Sequence, residues 1–280
     1  MLSADCKSAA SKKEGGLVQQ TMSAIVINED VVHYEVLGRG PGVLFIHGWL
    51  GSWRYWIPTM QAASARYRTY AIDLWGFGDS GKKPMYYDLD SQAELITRFM
   101  DTLGVAKLAL VGHGLGGAVA LRFATHHPDW VVKLMTIDTP FNKASINSRF
   151  SSSDVPSLLD WLVGKGPGSA EIIAEANKLD PTAIQKSMQA IAETDLMAEL
   201  NQTITPTLLV HGDKDAAVTP PPEEWFNGAK PNLHHIVFED GKHFPMLDDP
   251  AKFSRLVADF LEAKDLTSLQ LKDEWKRRMR

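Results

Sequence analysis

Short apolar runs and longer stretches of helical periodicity take turns along this chain. Residues 24–28 and 31–36 are rich in β-branched side chains around Glu29-Asp30 and read as a hairpin. Residues 43–47, 70–73, 107–111, 132–138, 206–211 and 233–239 are mostly apolar runs, the pattern of strands covered on both faces. Helical patterns fill the gaps at 53–65, 91–103, 115–126, 222–227 and 251–263. Strands separated by helices predict an α/β fold with a mostly parallel sheet of eight strands flanked by helices. The opening hairpin supplies an antiparallel edge.

One stretch breaks the alternation. Between Asp138 and Pro206 no strand pattern appears, and helical patterns run at 156–163, 169–178 and 181–200. The chain leaves one core after the sixth strand and returns to it. The insertion therefore reads as a helical cap over the strand ends, not as an independent domain. The expected organisation is a disordered tail at 1–22, a core at 23–138 and 201–265, a cap at 139–200 and a C-terminal helical tail at 266–280.

Charge and composition narrow the function classes. A net charge of -5 argues against a general nucleic-acid surface. The one cysteine, Cys6, allows no intrachain disulfide, so a cytoplasmic location is the default. The first 21 residues have no apolar segment of the secretory type, and no run in the chain reaches membrane-spanning length. Ordered pattern begins just after Met22, which reads as an alternative start. No membrane or nucleic-acid partner is expected, and the assembly is expected to be a monomer or a homodimer. Neither a dinucleotide fingerprint nor a phosphate loop is present, so no cofactor is implied. The adjacent His234 and His235 would point to opposite faces of a strand and make a poor chelate, and no metal is assigned.

Four motifs carry the chemistry. They are His47-Gly48-Trp49, then Asp73-Leu-Trp-Gly-Phe-Gly-Asp-Ser80, then Gly112-His-Gly-Leu-Gly116, then the late pair Gly212-Asp-Lys-Asp215 and Gly241-Lys-His243. In this order and rhythm, over about residues 25 to 261, the chain resembles the α/β-hydrolase superfamily, in particular its members with a helical cap after strand 6. The resemblance implies an esterase-like serine hydrolase. It places a nucleophile at Gly114, a histidine at His243 and its orienting carboxylate at Asp215, with Asp138 as a second candidate for the acid. It assigns the backbone N–H groups of Trp49 and Leu115 to an oxyanion hole, where donors fixed in advance stabilise developing charge. His47 reads as structural. An imidazole held by a carboxylate is a competent base, since its ordinary pKa is about 6.5.

The chain departs from the family at one decisive place, because position 114 holds glycine where a nucleophilic side chain is expected. Glycine tolerates the strained turn but offers no hydroxyl. Three readings follow: a disabled or engineered serine hydrolase with carboxylic-ester, acyl or lactone hydrolysis as its parent activity; an enzyme that uses the His243–Asp215 dyad as a base on water or substrate (hydrolase, lyase or isomerase); or a non-catalytic binder of small molecules. The expected ligand is small, apolar and neutral. Trp53, Phe141, Trp161 and Phe244 are the candidate pocket residues, and Trp53 and Trp56 also read as core.

Overall fold

The computed structural model describes residues 23–152, 154–163, 169–226 and 230–269. The expected tail at 1–22, with Cys6 and Met22, lies outside the described residues, as does the C-terminal tail from residue 270. Eight strands form one sheet: β1 Ser23–Ile27, β2 Asp30–Leu37, β3 Gly42–Ile46, β4 Arg68–Ile72, β5 Leu108–His113, β6 Val131–Ile137, β7 Thr207–Gly212 and β8 Leu233–Phe238. Their order is β1-β2-β4-β3-β5-β6-β7-β8. The β1–β2 and β2–β4 pairs are antiparallel, and every other pair is parallel. The predicted hairpin is thus the antiparallel edge. The central strand β5 is buried at all six positions, which is why it reads as an unbroken apolar run.

Helices cover the sheet. The core helices are α1 Ile57–Ala63, α2 Leu89–Leu103 and α3 Leu115–His126. After β6 the cap follows, with α4 Arg149–Ser152, α5 Val155–Leu162, α6 Ser169–Ala176, α7 Pro181–Glu193 and α8 Leu196–Gln202. The core then closes with α9 Glu223–Phe226, α10 Pro245–Asp248 and α11 Pro250–Glu262. Helix α2 packs on α3 and α1 packs on α11. Helix ends follow their side chains. Asp88 caps α2 by accepting from the Ser91 N–H, and Gly104 at φ 64 ends it in the left-handed conformation. The single pattern over 181–200 resolves into two helices: Thr194 turns extended and the Asp195 carboxylate caps α8 by accepting from the Ala198 N–H.

Backbone and side-chain bonds fasten the cap to the core. The Asp180 N–H bonds the Gly76 carbonyl at 2.8 Å, and Tyr87 Oη donates to Asp180 at 2.8 Å. Arg54 Nε donates to Glu175 at 2.8 Å, and Lys178 Nζ bridges Glu175 and Asp79 at 3.0 and 2.9 Å. An isolated β-bridge pairs Ile146 with Val218, which ties the start of the cap to the loop after β7.

Candidate active site

The turn between β5 and α3 is built by close backbone approach. A Cβ on Gly112 would stand 2.4 Å from the Gly116 carbonyl oxygen, one on Gly116 2.3 Å from that of Ile46, and one on Gly117 1.8 Å from Thr139 Oγ1. These glycines let α3 start flush against the sheet. Gly114 differs. The nearest atoms that a Cβ there would meet are Gly48 Cα at 3.6 Å and the Trp49 ring at 3.7 Å, which are ordinary contacts. Its backbone sits at φ 51 and ψ -115, a strained region for any other residue. The position therefore has room for a side chain and demands a bent backbone.

His47-Gly48-Trp49 follows β3 and faces that turn. Leu50 at φ 64 bends the chain away, and Trp49 Nε1 donates to Ser187 Oγ of α7 at 2.9 Å. Leu115 is the first residue of α3, so its N–H has no partner within the helix. His47 Nε2 accepts from the Leu74 N–H at 3.0 Å and its Nδ1 donates to the Gly48 carbonyl at 2.8 Å. Burial lowers its pKa to about 4, so the ring is a neutral strut.

The late motifs meet after β7 and β8. His243 Nδ1 lies 2.9 Å from Asp215 Oδ2, and the histidine is 1% exposed. Asp215 Oδ1 accepts from the Ala217 N–H at 2.7 Å. Burial works to raise the Asp215 pKa, but His243 and the backbone N–H groups of Ala217 and Val218 outweigh it and hold the carboxylate below its ordinary value. Asp138, at φ 45 after β6, accepts from the Gly212 N–H at 2.8 Å. Burial, and then the Asp215 charge, push its carboxyl well above the ordinary range. Among the described residues, the buried His243 Nε2 has no hydrogen-bond partner.

His113, Asp138 and His243 bring potential ligand atoms within 4.8 Å of one another. His113 has both ring nitrogens engaged, by Tyr55 Oη at 3.0 Å and the His243 carbonyl at 2.7 Å. His243 Nδ1 faces Asp215. The trio is thus left with His243 Nε2 and Asp138 Oδ2, fewer donors than a four-coordinate protein site needs.

A cavity of about 1170 Å³ opens within the cap, lined among others by Ile146, Phe150, Leu158, Ile184 and Met188. None of the four sequence-predicted aromatic residues lines it. Trp53 turns inward onto His33 at 5.6 Å between ring centroids, and Phe141 packs toward His211 at 6.2 Å. Phe244 fits against His243 at 5.0 Å and His113 at 5.3 Å. Trp161 lies beside Phe150, with the Arg149 guanidinium 4.5 Å from its ring centre. Phe150, which carries no motif, is the residue that joins the two regions. It lines the cavity and also packs on Trp49 at 5.1 Å and on His243 at 6.0 Å.

Comparison with known proteins agrees with this architecture. A family model described as alpha/beta hydrolase fold matches residues 41–168. A pimeloyl-[acyl-carrier protein] methyl ester esterase of Nitrosomonas europaea is 26% identical over 247 residues, covering 79% of this chain and 96% of that protein. The protein of the same name from Vibrio cholerae is 25% identical, covering 82% and 97%. Among solved structures, an esterase from Exiguobacterium antarcticum superposes with a TM-score of 0.75 at 21% identity, covering 84% of this chain and 96% of that one. An N-acyl homoserine lactonase, solved as a serine-to-glycine mutant complexed with N-hexanoyl homoserine lactone, has a TM-score of 0.75 at 21% identity, covering 86% and 97%. Among the described residues, no helix is long and apolar enough to cross a membrane. With its eight-stranded, mostly parallel sheet and the helical insertion after β6, the chain has an α/β fold, and its residues 41–168 are similar to the family described as alpha/beta hydrolase fold.

Proposed function

We propose that this chain carries the framework of a serine hydrolase for a carboxylic ester, or a related acyl or lactone bond, with Gly114 in the nucleophile's position. The observation that carries this reading is the contrast at the β5–α3 turn. Its other glycines are filled by neighbouring atoms, whereas position 114 has space for a Cβ between the His-Gly-Trp turn and α3. The buried His243 Nε2, oriented through Nδ1 by Asp215, supports it. A serine hydroxyl at 114 would attack the substrate carbonyl and pass its proton to His243 Nε2. The Trp49 and Leu115 N–H groups would hold the oxyanion, and the leaving alcohol would recover the proton. As written, the chain has no such hydroxyl, so acyl-enzyme formation cannot proceed through position 114. Esterases among the relatives favour an ester as the parent substrate. A serine-to-glycine lactonase solved with an acyl homoserine lactone supports glycine in place of serine as compatible with ligand binding in this fold.

A second reading is favoured by the same open nitrogen. His243 Nε2 could deprotonate a water or a substrate C–H directly, a general-base route worth about 10²–10⁴-fold in rate without the covalent step. Hydrolysis of p-nitrophenyl butyrate by the chain and by Gly114→Ser, each with and without His243→Ala, separates the two. The serine-hydrolase reading expects turnover only in Gly114→Ser with His243 intact. Turnover by the glycine chain that disappears in His243→Ala would instead support the water route. No turnover in any form would remove ester hydrolysis from consideration.

A further inference from the structure

Three segments of the candidate site meet on one side chain of the Gly112–Gly116 motif to which no role was assigned. His113 ends β5, immediately before Gly114, and is fully buried. Its Nε2 is 2.7 Å from the His243 carbonyl, and its Nδ1 is 3.0 Å from Tyr55 Oη. Tyr55 Oη in turn receives the Gly48 N–H at 2.6 Å. These contacts fix every proton. A carbonyl only accepts, so His113 Nε2 carries the hydrogen. The lone pair is then on Nδ1, and the Tyr55 hydroxyl donates to it while accepting from Gly48. The chain runs without a break from the Gly48 N–H through Tyr55 and His113 to the backbone of His243. Burial, and then the nearby His243, hold the His113 pKa well below its ordinary value, which keeps this tautomer neutral. The approach is close enough to dictate sequence elsewhere. A Cβ on Gly48 would stand 2.8 Å from His113 Nδ1 and 2.9 Å from the His113 carbonyl oxygen, so the ring and the backbone of residue 113 together leave room there only for glycine.

We propose that His113 is a positioning residue that sets the spacing among the His-Gly-Trp turn, the β5–α3 turn and the His243 loop, with Tyr55 as its obligate partner. The proposal rests on the reading of these three segments as the reacting groups. It goes beyond that reading by giving a role to the second residue of the Gly112–Gly116 motif, to which the motif itself assigns none. A hydrogen-bonded support of this kind acts on groups that must be held to within a fraction of an ångström, and a misplacement of about 1 Å can cost 10²-fold in rate.

The test has one arm that needs no catalysis. In the chain as it exists, ¹⁵N-edited NMR of the histidine rings should show His113 as the neutral Nε2–H form throughout about pH 5–8. Tyr55→Phe should shift the His243 Nδ1–H resonance. An Nδ1–H tautomer, titration within that range, or an unmoved His243 resonance would each overturn the proposal. The second arm uses Gly114→Ser. There Tyr55→Phe should lower kcat by about tenfold and His113→Phe by about 10²-fold, with KM within about twofold. The double variant should fall little below His113→Phe alone, because one break already severs the chain. His113→Gln, whose amide can still donate toward the His243 carbonyl, should recover part of the loss. Multiplying effects, or a loss carried by KM, would overturn it. If Gly114→Ser has no activity, the proposed function fails, and the NMR arm still decides the role of His113.

Discussion

His47 and Asp73 follow β3 and β4 as Asp215 and His243 follow β7 and β8, so two buried histidine–aspartate pairs stand at the carboxyl ends of the strands. In the first pair nearly everything is satisfied. Both His47 nitrogens are hydrogen-bonded to backbone, and the Asp73 oxygens accept from the Trp53 and Asp79 N–H groups at 2.8 and 3.0 Å. The two side chains stand 3.9 Å apart, outside hydrogen-bonding distance. Burial drives them toward neutrality from both sides, with His47 lowered to about 4 and Asp73 raised to about 7. In the second pair the two side chains bond each other directly at 2.9 Å, and one imidazole nitrogen is left over. Burial and residue type do not distinguish the pairs. The unspent nitrogen does, because a buried polar atom without a partner is costly unless it has a use.

That contrast can be broken at several points. The largest expected effect is on activity: in Gly114→Ser, His243→Ala should lower kcat for p-nitrophenyl butyrate by about 10⁶-fold. Asp215→Asn should lower it by about 10⁴-fold, by losing the orienting carboxylate. Steady-state kinetics check both, and a loss below about tenfold in either would put the dyad elsewhere. The first pair should respond in stability instead. His47→Gln removes at least one of two buried bonds and should destabilise the fold by about 1–3 kcal/mol, read from the urea midpoint at constant slope. A loss confined to kcat would mean that His47 takes part in the chemistry.

The pH dependence sharpens the comparison further. His47 is depressed from the ordinary 6.5 to about 4 in the fold. Between these values the unfolded chain binds a proton that the folded chain refuses, so stability rises with pH across the window and is lost as pH falls from about 6.5 toward 4. The contribution is on the order of 1 kcal/mol per pH unit. Urea melts at pH 4.5 and 6.5 should show the protein losing more stability than His47→Gln between the two, since the substitution removes this term; equal losses would contradict the assignment. The smallest effect belongs to Asp138. Its Oδ1 accepts from the Gly212 N–H, a role that an asparagine amide oxygen can keep, so Asp138→Asn in Gly114→Ser should change kcat by a few-fold at most. A loss as large as that of Asp215→Asn would make the two acids a working unit.

Much of this was legible along the chain. The strand rhythm is visible because a parallel sheet covered on both faces leaves unbroken apolar runs, and β5 is the clearest case. The order of the motifs located Asp215 and His243, and the structure brings them to 2.9 Å. What sequence could not show depends on contacts between distant segments. Alternation along β5 sets His113 opposite its neighbours, but only the fold brings the loop after β8 and Tyr55 against its two nitrogens. Phe150 is similar, since nothing in a short cap helix announces that its ring will meet both Trp49 and His243. The aromatic residues near the motifs were expected at the pocket, yet Trp53 and Phe141 spend their rings on His33 and His211. Large rings beside a turn are as good for filling the core as for lining a cavity.

The account turns on whether position 114 is where a nucleophile belongs. A fluorophosphonate probe tests this directly, because it reacts with an activated serine hydroxyl and leaves a mass increment on the peptide that carries it. The glycine chain should remain unlabelled. Gly114→Ser should be labelled stoichiometrically on the peptide spanning position 114, and His243→Ala in that background should abolish labelling. An unlabelled Gly114→Ser that is folded, or labelling that survives the loss of His243, would contradict the account.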